Sequence, residues 1–292
     1  MKLLANGLQI EVDLRGPPEG EPLLLIMGLG MPLVGWPDEL VADLAGRGFR
    51  VIRFDNRDIG LSQGFEHKGV PSLARASLRH MLRLRVHAPY TLADMAADAL
   101  GVLDALGLAS AHICGASMGG MIAQHIAAQH ADRVRSLTLI MTTSGARHLP
   151  QPRLGVRQAR LRRPRSAAPA DVVAHLIALL DVIGSPMYRP DPARLRLRLE
   201  ALVRRAWRPD GTARQLLAVA ADGDRSALLG RIRARTRVLH GQADVLIPVA
   251  AAADLQRKIP GAVLETIPGM GHDLPLPLLP RLASAIADNA RG

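Results

Sequence analysis

The chain has 292 residues, 48% of them hydrophobic, enough to close a large core, which excludes a disordered or fibrous protein. Its formal charge of +11 comes almost wholly from arginine, which supplies 34 of the 37 basic residues. That skew reads as a codon preference, and with no nucleic-acid-binding motif beside it, nucleic acid is not an expected partner.

In chain order, Met1 to Gly7 carries too short an apolar run for a secretory signal. Leu8 to Leu14 alternates apolar and polar residues, the period of a half-buried strand. After the turn-forming stretch Gly16 to Gly20, the unbroken apolar run Leu23 to Met27 reads as a strand buried on both faces. Gly28-Leu29-Gly30 ends it, Asp38 to Arg47 reads as a helix and Arg50 to Phe54 as a strand, followed by the polar loop Asp55 to Gly60. A helix over Leu92 to Leu106 has Thr91 as N-cap with Asp94 three residues on.

Next come strand Ala111 to Gly115, helix Met118 to Gln129 and strand Val134 to Met141. Strands alternating with helices predict a parallel sheet covered on both faces. The alternation resumes at Val238 to His240, with helix Val249 to Lys258, strand Val263 to Ile267 and a last helix around Leu278 to Asp288. Between them, residues 145–232 are helical in character and hold 17 of the 34 arginines. This segment reads as a cap inserted into a core of residues 1–144 and 233–292, its arginines forming either a solvated outer face or a site for an anionic substrate. No apolar stretch reaches the length of about 18 residues that a membrane span needs. The single cysteine, Cys114, excludes an internal disulfide and reads as a buried, inert thiol. The expected location is cytoplasmic.

The strongest chemical signal is Gly115-Ala116-Ser117-Met118-Gly119, placed between a strand and a helix. Such a turn holds its central residue in a strained conformation, so small neighbours are needed where the backbone crowds. Ser117 is the candidate nucleophile; alternatively it is only a helix N-cap between glycines. A serine hydroxyl needs a base, and the base needs an acid to orient it. Asp244 lies on the loop after strand Val238 to His240, with the apolar stretch Val245 to Pro248 to shield it. His272, in Pro268-Gly269-Met270-Gly271-His272-Asp273, is the only histidine on a strand-end loop downstream of Asp244. Asp273 is a rival acid, but adjacent residues rarely face each other. For an oxyanion, the backbone N–H groups of Met118 and Leu29 are the candidate donors, with Gly30 second to Leu29.

Order and spacing resemble the α/β-hydrolase superfamily over essentially the whole chain. Gly35-Trp36-Pro37-Asp38-Glu39, Arg53 to Asp58, Gly115 to Gly120 and Ile267 to His272 are similar to the aclacinomycin methylesterase-like carboxylesterases. One departure is Met27-Gly28, where many of those enzymes carry His-Gly. The resemblance implies an α/β-hydrolase fold: a mostly parallel central sheet flanked by helices, with the inserted helical cap. It also implies cofactor-free, metal-free hydrolysis of a small-molecule ester by Ser117, Asp244 and His272. Enol-lactone hydrolysis, C–C bond hydrolysis and a non-catalytic ligand-binding role are the alternatives. Met31, Met121 and Met270, grouped with Met27 and Met118 in these motifs, read either as a flexible aliphatic substrate pocket or as ordinary core. A homo-oligomer is compatible with all of this.

Overall fold

The structure, a computed structural model, describes residues 1–70, 72–82, 84–152 and 154–292, with the side chains of His80, Leu154, Arg157, Arg160 and Leu161 left aside. Strands β1 (Lys2–Ala5) and β2 (Leu8–Arg15) form an antiparallel hairpin. β3 (Glu21–Ile26), helix α1 (Asp38–Gly46) and β4 (Phe49–Phe54) follow, then α2 (Leu73–Met81) and α3 (Leu92–Ala105). Next are β5 (Ala111–Ala116), α4 (Met118–Gln129) and β6 (Val134–Ile140). Before β7 (Arg235–Gly241) the chain leaves the sheet for α5 (Leu154–Leu161), α6 (Pro169–Ile183), α7 (Pro192–Arg205), α8 (Pro209–Asp222) and α9 (Ser226–Leu229). Helix α10 (Ala250–Lys258), β8 (Val263–Ile267) and α11 (Leu279–Arg291) complete it.

The eight strands make one sheet in the order β1-β2-β4-β3-β5-β6-β7-β8. β2 runs antiparallel to β1 and β4, and every other pairing is parallel. The period of two along β3 explains its unbroken apolar run. Leu24 and Ile26 pack with Met95, Val102 and Ile122 of α3 and α4, while Leu23 and Leu25 pack with Leu40, Leu44, Leu282 and Ile286 of α1 and α11. A strand covered on both faces needs apolar residues at every position. Cys114 in β5 is wholly buried, and burial pushes its thiol above the ordinary range. At α3, Asp94 N–H donates to Thr91 Oγ1 at 3.0 Å and Thr91 N–H to Asp94 Oδ2 at 2.8 Å, the reciprocal cap that the spacing predicts. Two elements were not anticipated. β1 is four residues long with only Ala5 buried, and α2 has little of its surface in the core, so neither has a clear inward-facing pattern.

The loop after β4 departs most from expectation. The loop is polar as read, yet Asp55, Asn56, Arg57 and Asp58 are all buried, which its composition does not indicate. Asp55 accepts the N–H groups of Leu33 (2.6 Å) and Leu61 (2.8 Å) and the guanidinium of Arg205 on α7 (2.7 Å). Asp58 accepts two bonds from Arg214 on α8, at 2.7 and 2.9 Å, and one from the Tyr90 hydroxyl at 2.8 Å. Arg57 makes a two-pronged pair with Asp98 of α3 at 2.6 and 2.7 Å. The inserted arginines are therefore of two kinds. Arg162, Arg163, Arg165, Arg196 and Arg204 are exposed, whereas Arg205, Arg214 and Arg225 are committed to Asp55, Asp58 and Asp222. Arg153, Arg157 and Arg160 lie outside the described positions or side chains. Neither a solvated face nor an anion site accounts for the committed three, which bind the insertion to itself and to the sheet.

Burial pushes the Asp58 carboxyl up, but hydrogen bonds from Arg214, Tyr90 and Phe65 N–H carry it below the ordinary carboxylate value. A depressed carboxylate contributes stability that is present above the unfolded value of about 3.9 and lost as pH falls through the folded one. Arg214→Ala should cost about 3–5 kcal/mol, because it strands a buried charge, while Arg163→Ala should stay within about 0.5 kcal/mol. Urea unfolding of the two variants at neutral pH measures both. The deficit of Arg214→Ala should shrink on acidification below the unfolded carboxylate value.

Candidate active site

β5 ends at Ala116 and α4 begins at Met118, leaving Ser117 alone in the turn at φ 54°, ψ −118°. Positive φ is costly for a side-chain-bearing residue, and the surroundings hold it there. Ser117 N–H donates to Ile140 O at 2.9 Å, and Thr142 Oγ1 donates to Ser117 O at 2.7 Å. Side chains at the flanking glycines would not fit. A Cβ on Gly115 would strike the Gly119 carbonyl, and one on Gly119 would strike the Ile26 carbonyl. A Cβ on Gly120 would lie 2.7 Å from Thr142 Cβ. Ser117 occupies the N-cap position of α4 but its hydroxyl caps nothing.

That hydroxyl lies 3.0 Å from His272 Nε2, and His272 Nδ1 lies 2.7 Å from Asp244 Oδ2. Asp244 is buried, and its Oδ1 accepts the N–H groups of Leu246 and Ile247, both at 2.8 Å. The stretch expected to shield the carboxylate thus also holds it in place by direct backbone donation. Asp273 turns away from the ring and accepts a short hydrogen bond from Ser185 Oγ, and burial raises its carboxyl above the usual range. His240 is wholly buried beside Asp244, its Nε2 2.8 Å from Ile247 O, and burial lowers its pKa. Its Nε2 also lies 3.6 Å from Asp244 Oδ2, farther than the His272 ring.

The loop after β3 closes the other side. Gly28 approaches so nearly that a Cβ there would be 3.1 Å from Ser117 Cβ. Among the described residues, the N–H groups of Leu29 and Met118 have no acceptor. Gly30 N–H does: it donates to Gln215 Oε1 of α8 at 3.0 Å, while Gln215 Nε2 donates to Arg57 O at 2.8 Å. That separates Leu29 from Gly30 as a free donor. Of the methionines, Met31 is half-buried between the sheet and the α6–α7 cluster, and Met121 is buried against α3 and α4. Met270 does not line an accessible pocket. It is 0% exposed and packs in the core on the α1 and α11 side, because its loop turns the thioether inward.

Sequence reasoning missed Gln215, and also Ser185 and Ile183 at the end of α6. Gly271 N–H donates to Ser185 Oγ at 2.8 Å, and His272 N–H to Ile183 O at 2.7 Å. Their only sequence signal was position within the insertion, which does not say what they touch.

A strained serine after a parallel strand, with a histidine and a buried acid brought to it from later strand ends, defines a class of hydrolytic fold. Residues 21–276 match the family model described as alpha/beta hydrolase fold. The chain belongs to the α/β-hydrolase family. It is 29% identical to the rhodomycin D methylesterase DauP of Streptomyces sp. (strain C5), covering 94% of this chain and 93% of that protein. It is 30% identical to the pimeloyl-[acyl-carrier protein] methyl ester esterase of Chromobacterium violaceum, over 73% of this chain and 84% of that one. Among solved structures, the enol-lactonase of Burkholderia xenovorans LB400 superposes with a TM-score of 0.77 at 23% identity, covering 100% of both chains.

The glycine constraints allow a direct comparison. Gly119→Ala should give little folded protein or a large fall in Tm, since the clash is with backbone. Gly46→Ala, where a Cβ meets nothing within 4 Å, should change stability by less than about 1 kcal/mol. Thermal melts followed by circular dichroism distinguish them.

Proposed function

We propose that the protein hydrolyses carboxylic esters through an acyl-enzyme on Ser117. The observation that carries this reading is the unbroken chain from Ser117 Oγ to His272 to Asp244, at 3.0 and 2.7 Å, beside a β3 loop whose Leu29 N–H, like that of Met118, has no acceptor among the described residues. His272 takes the hydroxyl proton as Ser117 attacks the carbonyl, then returns it to the departing alcohol. Asp244 holds the ring in the tautomer with its proton on Nδ1 and stabilises the imidazolium. Leu29 and Met118 donate to the oxyanion of the tetrahedral intermediate. A water activated by His272 then clears the acyl-enzyme. Residues 145–232 act as a cap over the core of 1–144 and 233–292, and Met31, half-buried beside the α6–α7 cluster, borders the substrate.

Two of the relatives are named for methyl ester cleavage, which supports a substrate with a small alcohol. An enol lactone is an internal ester and would open by the same steps. Ser117→Ala should abolish turnover of short-chain nitrophenyl esters and labelling by a fluorophosphonate, with the melt unchanged. Wild-type-rate labelling of that variant would overturn the assignment, and inactivity of the wild type from acetyl through octanoyl esters would overturn the esterase reading. Asp244→Asn should lower kcat by about 10⁴-fold, the size seen when the acid of such a triad is neutralised elsewhere. Gln215→Ala frees the loop that presents Leu29, so kcat should fall by up to about 10²-fold with KM nearly unchanged, less than or equal to the loss of one oxyanion donor.

A further inference from the structure

Helix α2 and its flanks carry a surface with no part in this chemistry. From His67 to Ala93 the chain contains no Asp or Glu, yet it holds Lys68, Arg75, Arg79, Arg83 and Arg85. The same stretch is apolar where it meets solvent. Among the described residues, twelve large hydrophobic side chains are exposed, and five of them are Val70, Leu78, Met81, Leu82 and Leu84, at 50–72% exposure. Scattered exposed apolar residues need no explanation, but five within fifteen residues form a patch.

The patch has helical order. Ala74, Leu78, Met81 and Leu82 recur at the spacing of one helix face, and Leu82 N–H still donates to Leu78 O at 2.9 Å, so the turn runs on past Met81. Arg75 is exposed beside this stripe, and Lys68 and Arg85 are exposed at the two ends. Arg79 Nε donates to Arg85 O at 2.8 Å, which folds the tail back on the helix. Arg214 Nη1 donates to Gly69 O at 2.8 Å, which fixes the start of the segment to α8, the helix that carries Gln215. The patch therefore has a defined place beside the insertion.

An exposed apolar stripe bordered by bases, without one acid in 27 residues, is complementary to a surface that is anionic outside and hydrocarbon beneath. A nucleic acid would meet the arginines and leave the leucines in water. A second copy of this chain would set arginine against arginine. We propose that α2 and the described residues on either side of it dock on an anionic lipid bilayer, with α2 in the headgroup plane and Leu78, Met81 and Leu82 inserted. This holds whatever bond Ser117 attacks.

Flotation of the full chain with vesicles tests it, using phosphatidylcholine mixed with phosphatidylglycerol and phosphatidylcholine alone. The wild type should float with the mixed vesicles at low salt, at least about tenfold more than with neutral ones, and high salt should weaken the binding. Leu78→Glu/Met81→Glu and Arg75→Glu/Arg85→Glu should each lose about tenfold or more, while the melt and turnover of a soluble nitrophenyl ester stay unchanged. Should the first pair fold poorly, Leu84→Glu, outside the helix, makes the same test. No flotation with mixed vesicles at low salt would overturn the proposal. So would undiminished flotation of the leucine and methionine variants, which would leave charge alone. A wild-type dimer made monomeric by Leu78→Glu/Met81→Glu would assign the patch to a second copy instead.

Discussion

The left-handed backbone of Ser117 is the constraint around which the remaining site geometry is arranged. Holding a non-glycine residue at φ 54° costs on the order of 1–3 kcal/mol, so its surroundings must over-determine it. They do so from several directions. Ile140 and Thr142, at and beyond the end of β6, grip the peptide groups on either side of the serine. Gly115 and Gly119 give up their side chains so that β5, β3 and α4 can meet at the turn. The result lifts the hydroxyl off the helix axis, where it cannot cap α4 and instead meets His272.

A second constraint works through buried charge. Asp55 and Asp58 sit under the loop that follows β3, and each is neutralised by an arginine from the inserted helices. An isolated buried carboxylate would be prohibitive, so the core segment containing these acids depends on the insertion for its charge balance. Asp55 also accepts Leu33 N–H, and Asn56 Nδ2 donates to Met27 O at 3.0 Å. Both bonds hold the segment that carries Leu29. The position of a backbone donor thus traces back to α7 and α8, more than 150 residues away in the chain.

This explains why some of the molecule was legible in the sequence and some was not. The parallel strands announced themselves because burial on both faces leaves only apolar residues, and Thr91 with Asp94 announced α3 because capping is local. The meeting of Ser117, Asp244 and His272 could be expected because each lies at a strand end beside glycine or a short loop, and chain order did the rest. Gln215, Ser185 and the partners of Asp55 and Asp58 had no such mark. A glutamine in a helix or an arginine in a basic insertion looks like surface until the tertiary fold aims it inward. Met270 shows the converse: its neighbours in sequence are at the site, but its side chain is in the core.

The insertion consequently holds both sides of the site. Its α6 end fixes the loop of His272 through Ile183 and Ser185, and its α8 fixes the loop of Leu29 through Gln215. Neither contact involves Ser117 itself, yet each sets where the His272 ring or the Leu29 N–H points. Change in the inserted helices would therefore alter the placement of His272 and Leu29 relative to Ser117. The committed arginines follow the same logic. Arg205 and Arg214 cannot turn to an incoming anion without stranding Asp55 or Asp58, so the positive charge of these two side chains is committed to holding the loop of Leu29 in register.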